Sequence, residues 1–344
     1  MKKSNIIFGI LIGALTASVL FALIGRNQLT SGGGAEGQKR EIKIAHALPT
    51  SHPVHQGIEY FAKRVEALSG GQMTCTIFPS GQLGSETEYL EKLQAGSIDI
   101  AKTSAGPIAN FVPRMKVFSL PYLFNDRDHY WRTLDGETGT TLLDRLADRG
   151  EGKPSGFRGL CYYDAGSRNF YTSKPVLTPT DLQGMTIRVM KDPVAIAMME
   201  TFGATAKPMP GGEVYSALQR GNIGGAENNP PTFMKDGHHE VCKHFTFDHH
   251  SRIPDILSIS EKLWGKLTAQ EREWVMTAAA ESSRHQRALW QKESDSATAG
   301  MKEKGVTIHH PDTSIFQKAS IPAAQKFLTG EVKTIAEEIQ AGAK

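Results

Sequence analysis

From residue 41 onward, apolar and polar positions recur with two alternating periods. Residues 42–47 alternate as a strand does, and residues 52–68 set Val54, Ile58, Phe61, Val65 and Leu68 at helical spacing. Residues 73–78 and 98–103 read as further strands, with a helix at 86–95 between them. This βαβαβ run calls for an α/β sheet with crossover helices. Short helices fill 128–149, and a strand follows at 158–164. A second α/β unit then opens, with strands near 169–173 and 186–189 and a helix from about 193 to 202. Residues 212–219 and the short apolar segment before Glu227 complete it. The last third reads differently. No proline interrupts residues 268–305, and Thr268 with Glu271 three positions on makes a capping box. A single helix of roughly 35 residues would reach about 50 Å, more than one small domain can cover. Gly300 marks where a kinked helical pair would break instead.

Ahead of this pattern, Lys2 and Lys3 precede an apolar run over 6–24, the outline of an export signal. The run is also nearly long enough to span a bilayer. Neither residues 14–16 nor 17–19 make a good cleavage site, and there is no lipidation cysteine. Residues 1–25 are therefore read as a signal peptide or an N-terminal membrane anchor, with residues 26–40 as a Gly/Ser-rich tether. Either fate puts the remainder outside the inner membrane, in the periplasm.

Composition narrows the classes. The 344 residues suffice for two cores, and 39 Lys and Arg against 36 Asp and Glu leave a net charge of +3. No basic run interleaves with aromatics, so nucleic acid is not an expected partner. Cys75, Cys161 and Cys242 are far apart, without CxxC spacing, and read as buried small hydrophobes. Among twelve histidines, His52 and His55 have the i,i+3 spacing that can hold a metal, which leaves a metal-dependent hydrolase open as the enzyme reading. His52 precedes Pro53, however, and the chain has no HExxH, GxSxG, Walker or dinucleotide motif. No enzyme activity, cofactor or metal is called for.

The richest segment is 178–192, TPTDLQGMTIRVMKD. Thr180 or Asp181 can cap a short turn, Gly184 can end it, and residues 185–190 alternate as a strand with Arg188 at a polar position. A guanidinium fixed on a strand can grip a carboxylate through two parallel hydrogen bonds. The phrase resembles the central signature of the TRAP (tripartite ATP-independent periplasmic) transporter substrate-binding proteins, the DctP-like family. The likeness extends over about 42–311: IFPSGQLG at 77–84, LQAGSID at 93–99, LPYLF at 120–124, DAGSRNFY at 164–171, EVYSAL at 213–218 and GAEN at 225–228 follow in the family's order.

The resemblance implies an α/β, two-lobed periplasmic binding protein fold with a long helix spanning both lobes. Lobe I would take 41–163, completed by about 251–267, and lobe II 164–250. The long helix would follow over 268–305, and a C-terminal segment, 306–344, would pack on the lobes. It implies a monomer that captures a small organic acid and delivers it to a membrane permease; a sensory ectodomain of the same fold is the other use of such lobes. Arg188 would clamp the ligand carboxylate, Arg168 would stand near it, and Asn228 would complete the cage. Two guanidiniums around one pocket favour an anion between them. On the first lobe, His46 and Ser104 fall where distant members touch ligand. Glu86 and Glu213 are candidate hydroxyl acceptors, and Glu227 is left structural. Two departures stand out: Pro210, Gly211 and Gly212 replace a usual aromatic, and Gly224 replaces a usual aspartate. The first enlarges the pocket and, with the hydroxyl acceptors, favours a hexuronate over a small C4-dicarboxylate or keto acid.

Overall fold

The computed structural model describes residues 39–343. The expected export signal or anchor lies outside them, and so does nearly all of the tether. Among the described residues no helix is long and apolar enough to cross a membrane. Arg40 does not belong to the tether; it opens the first strand.

The strands are β1 (Arg40–Ala45), β2 (Met73–Phe78), β3 (Ile100–Ser104), β4 (Phe157–Tyr163), β5 (Arg168–Thr172), β6 (Thr186–Val189), β7 (Thr205–Pro208), β8 (Gly225–Asn228), β9 (His244–Ser251), β10 (Asp255–Ser260) and β11 (Thr307–His309). They form two sheets, ordered β2-β1-β3-β10-β4 and β11-β9-β5-β8-β6-β7. In the first, β1 runs parallel to β2 and β3, while β10 lies antiparallel between β3 and β4. In the second, β5 is antiparallel to both β8 and β9, and β6 is parallel to β7 and β8. The chain passes between the sheets at residues 164–167 and returns at 252–254.

Local rules account for the helices that matter here. Helix α1 (Pro53–Leu68) starts with proline at its first position, where the missing N–H costs nothing. His52 is its N-cap and not its first residue: Nδ1 accepts from Val54 N at 3.2 Å. Helix α2 (Glu86–Ala95) has the Ser85/Glu88 capping box and ends on Gly96 in the left-handed region. In the signature segment the cap is Thr178, boxed with Asp181, two residues before Thr180. Helix α3 (Pro193–Thr201) is capped by Asp192, and α4 (Pro230–Lys235) by Asn229.

Helix α5 (Ala269–Glu303) is one uninterrupted element with the Thr268/Glu271 box, so Gly300 breaks nothing. Val275, Ala278, Ala279 and Trp290 pack with Ile42, Ile44, Phe61 and Leu257 of the first lobe. Met301, three turns on, packs with Tyr171, Ala226 and Phe245 of the second. The expected two-lobed fold, with a helix spanning both lobes, is the observed one. Gly57 on α1 meets this helix so closely that a Cβ would lie 2.8 Å from Gln286. Gln286 in turn grips the first crossing: its Oε1 accepts from Asp164 N at 2.8 Å and its Nε2 donates to Asp164 O at 2.9 Å. After β11 edges the second sheet, α6 (Thr313–Gln325) buries Phe316 and Ala323 on that lobe. Helix α7 (Gly330–Ala341) buries Val332, Ile335 and Ile339 on the first.

The three cysteines are free thiols; Cys161 and Cys242 are buried and Cys75 half-buried. Burial pushes all three up to about 12, which fits small hydrophobic packing groups.

Candidate ligand-binding site

Between the sheets lies a cavity of about 630 Å³, within the ~300–1,000 Å³ range of small-molecule clefts. Lobe I contributes Leu48, Glu86, Lys102, Ser104 and Asp255; lobe II contributes Arg168, Arg188, Met209, Asn228 and Asp236; Trp290 of α5 closes one side.

Arg188 sits on β6 and is 5% exposed. Its Nε and Nη2 both donate to the Met209 carbonyl, at 3.0 and 2.8 Å. That leaves both Nη1 hydrogens and one on Nη2, the end-on fork that matches a carboxylate. Among the described residues no acidic side chain pairs with it, and burial lowers its affinity for its proton. A buried charge without a partner is costly to maintain.

Arg168 differs from expectation. Its Nε donates to Glu227 Oε2, and its Nη2 to Glu227 Oε1 at 2.9 Å and to the Glu227 carbonyl at 2.7 Å. It is therefore already neutralised, and the two arginines do not require a common anion between them. Glu227 receives His250 as well, at 3.4 Å, and His250 Nδ1 meets Asp248 at 2.8 Å. Only Nη1 of Arg168 is turned toward Asn228, whose Oδ1 it meets at 3.3 Å. That oxygen also accepts from Asn229 N and Nδ2, at 2.9 and 3.0 Å. Three donors on one oxygen fix the amide orientation, and among the described residues nothing accepts from the NH₂ of Asn228, which lines the cavity.

The first-lobe candidates separate. Glu86 Oε1 accepts from Lys102 at 3.0 Å and from Ser104 N at 3.1 Å, and Ser104 lines the cavity. His46 does not reach it. It is 0% exposed, its Nδ1 accepts from Leu48 N at 3.2 Å, and its Nε2 meets His55 Nδ1 at 2.9 Å. Burial, Lys102 and His55 drive it down to about 3, so it is a neutral packing group. Its neighbours Ala47 and Leu48 line the wall instead. Glu213 is exposed at the cleft edge. The His52–His55 metal pair does not form a site, since His52 Nε2 faces Thr232 Oγ1 at 3.4 Å and His55 turns to His46.

Lining residues that escaped the sequence reading include Leu48, Met209, Asp255 and Trp290, together with two further ionisable groups, one on each lobe. Lys102 lies 3.0 Å from both Glu86 and Asp255, and these carboxylates raise its pKa against the effect of burial. The available signal was a lysine inside the short run read as a strand at 98–103. Asp236 is the other; burial pushes its carboxyl up to about 6.

Two α/β lobes facing each other across one polar cleft define the class of two-lobed solute-binding proteins. Residues 44–330 match the model of the bacterial extracellular solute-binding proteins, family 7 (DctP), and the chain belongs to that family. The TRAP periplasmic solute binding protein from Citrobacter koseri, solved with bound D-glucuronate, is 35% identical; it superposes with a TM-score of 0.84, covering 88% of this chain and 99% of that one. Its counterpart from Sulfitobacter sp. NAS-14.1, with bound β-D-galacturonate, is 34% identical with a TM-score of 0.83, covering 88% and 100%. The C4-dicarboxylate-binding periplasmic protein DctP of Rhodobacter capsulatus is 30% identical, covering 87% of this chain and 89% of its own.

Proposed function

We propose that this protein is the solute-binding component of a TRAP transporter, which captures a hexuronate in the periplasm and hands it to a membrane permease. The observation that carries this reading is Arg188: buried, oriented by Met209, and without an acidic partner among the described residues. A ligand carboxylate supplies the missing charge and fills the open fork. Asn228 Nδ2 and Arg168 Nη1 are donors beside it, while Glu86 and Ser104 offer hydroxyl partners from the opposite lobe. The mechanism is differential binding: a ligand touching both lobes stabilises the closed arrangement over the open one by those bridging contacts. The glucuronate- and galacturonate-bound relatives support the choice of sugar acid.

The test is a thermal-shift and calorimetric panel of hexuronates, aldonates, keto acids and C4-dicarboxylates on ligand-stripped protein. A hexuronate at a hundred times its Kd adds about 2.7 kcal/mol of stability. A response confined to small dicarboxylates replaces hexuronate by the other acid class; silence from every acid removes the transport reading.

The enlarged pocket has its own test. A Cβ at Gly211 or Gly212 would meet nothing within 4 Å, so a side chain can start there without a backbone clash. Gly211→Phe is expected to weaken hexuronate binding roughly tenfold or more and a small acid much less, because the ring takes the volume the larger ligand needs. Equal losses by calorimetry would remove the pocket-size argument.

A further inference from the structure

We infer that the Glu86–Lys102–Asp255 triad is a charge filter that admits one carboxylate per ligand: the protein takes sugar monoacids and refuses the diacids made by oxidising their far carbon. This inference rests on the sugar-acid reading of the cleft.

The cavity's cations are already assigned. Lys102 Nζ lies 3.0 Å from Glu86 Oε1 and 3.0 Å from Asp255 Oδ2, with side-chain exposures of 4% for the lysine and 19% and 9% for the acids. Two carboxylates on one ammonium leave the first-lobe wall without a cation to offer. On the second lobe, Arg168 is committed to Glu227, and Lys235 to Glu293 at 2.8 Å. Lys191 is exposed at the rim, where water and salt screen it. His52 and His238 are held neutral, chiefly by burial. Arg188 alone among these lining residues is a buried cation without a counter-charge.

The acceptors tell the same story from the other side. Glu86 Oε1 is occupied by Lys102 and the Ser104 amide, while Oε2 meets no partner among the described residues. A ligand hydroxyl can donate to that oxygen. A second ligand carboxylate brings only acceptors, so it meets like charge and leaves the oxygen unsatisfied. Such a repulsive element discriminates against the wrong ligand as effectively as new contacts favour the right one. Asp236, lining the same cavity, adds to the repulsion.

The test compares monoacids with diacids by calorimetry. D-gluconate with D-glucarate, both open chains, isolates the second charge. D-glucuronate with D-glucarate and D-galacturonate with galactarate add the loss of the pyranose ring, so the Glu86→Gln change in ratio is read on the first pair. Wild-type protein is expected to bind each monoacid about 100-fold or more tighter than its diacid. Glu86→Gln keeps the side chain's shape and its bond to the Ser104 amide. It should weaken the monoacid, strengthen the diacid, and narrow the ratio at least tenfold. Ser104→Ala, which changes no charge, should weaken the monoacid while the diacid stays refused. The wild-type ratio needs no variant, and it overturns the filter if a diacid binds within about threefold of its monoacid. A ratio that Glu86→Gln leaves unchanged, with the variant folded by its melting curve, overturns it too. If the uronates fail but gluconate binds, the hexuronate reading falls and the filter is judged on gluconate against glucarate. Binding by diacids alone, or by nothing in the panel, overturns both.

Discussion

Replacing Arg188 by alanine weakens acid capture by roughly 30- to 5,000-fold, the equivalent of about 2–5 kcal/mol for truncating one side of a buried, hydrogen-bonded charge pair. The loss belongs to the bound state. In the empty protein Arg188 has no acidic partner among the described residues and gains only its two bonds to the Met209 carbonyl. The ligand-free melting temperature of the variant should therefore change little, while the ligand-induced rise disappears. Arg188→Lys is expected to fail nearly as badly, since an ammonium cannot bond Met209 and still present a two-pronged face to the ligand. Calorimetry that found the alanine variant within about threefold of wild type would remove the clamp from the mechanism.

Glu227→Ala has the opposite signature, a large loss in the folded protein itself. Glu227 is 1% exposed and faces Arg168 through both carboxylate oxygens and His250 through one. Its removal leaves a buried guanidinium uncompensated, which costs about 3–5 kcal/mol. In urea unfolding the midpoint should fall while the slope stays constant. A loss under about 1 kcal/mol would mean that water or a shift of Arg168 replaces the carboxylate.

The same network shapes the pH dependence. Burial works to raise the Glu227 pKa, but Arg168 and His250 outweigh it and bring it from the ordinary 4.5 to about 2. Its contribution is present above pH 4.5 and is lost as pH falls through about 2. Burial works to lower His250, yet Asp248 and Glu227 raise it from 6.5 to about 9. That contribution is complete below pH 6.5 and is lost as pH rises through about 9. Both are fully present only between about pH 4.5 and 6.5, and the acid limb should flatten in Glu227→Ala.

What was legible beforehand followed from short-range rules. Helix α2 has the expected bounds because Ser85, Glu88 and Gly96 mark both ends, and α5 because Thr268 and Glu271 box its start. Arg188 was legible through the family phrase around it, since a lone strand arginine is more often a surface ion pair. The pairing of Arg168 with Glu227 was not, since it depends on β5 meeting β8 in the register that sets Phe170 opposite Glu227. No local pattern specifies a contact 59 residues away. The Lys102–Asp255 contact spans 153 residues and was hidden for the same reason. His46 failed by one position. Strand β1 ends at Ala45, and a one-residue change in where the chain turns exchanges a wall residue for one beneath it.

The position of β10 has a consequence for the order of events during synthesis. It is the next-to-last strand of the first sheet in space, yet it is made nearly a hundred residues after β4, its outer neighbour. Until Ser260 has left the ribosome, β3 and β4 have no strand between them, and the second sheet's chain must be complete from β5 to β9 before β10 arrives. The first sheet therefore cannot be completed in N-terminus-first order, whereas β5 to β9 of the second sheet are contiguous in the chain. Long-range closures of this kind fold slowly, so the first lobe is the last part of the binding cleft to close.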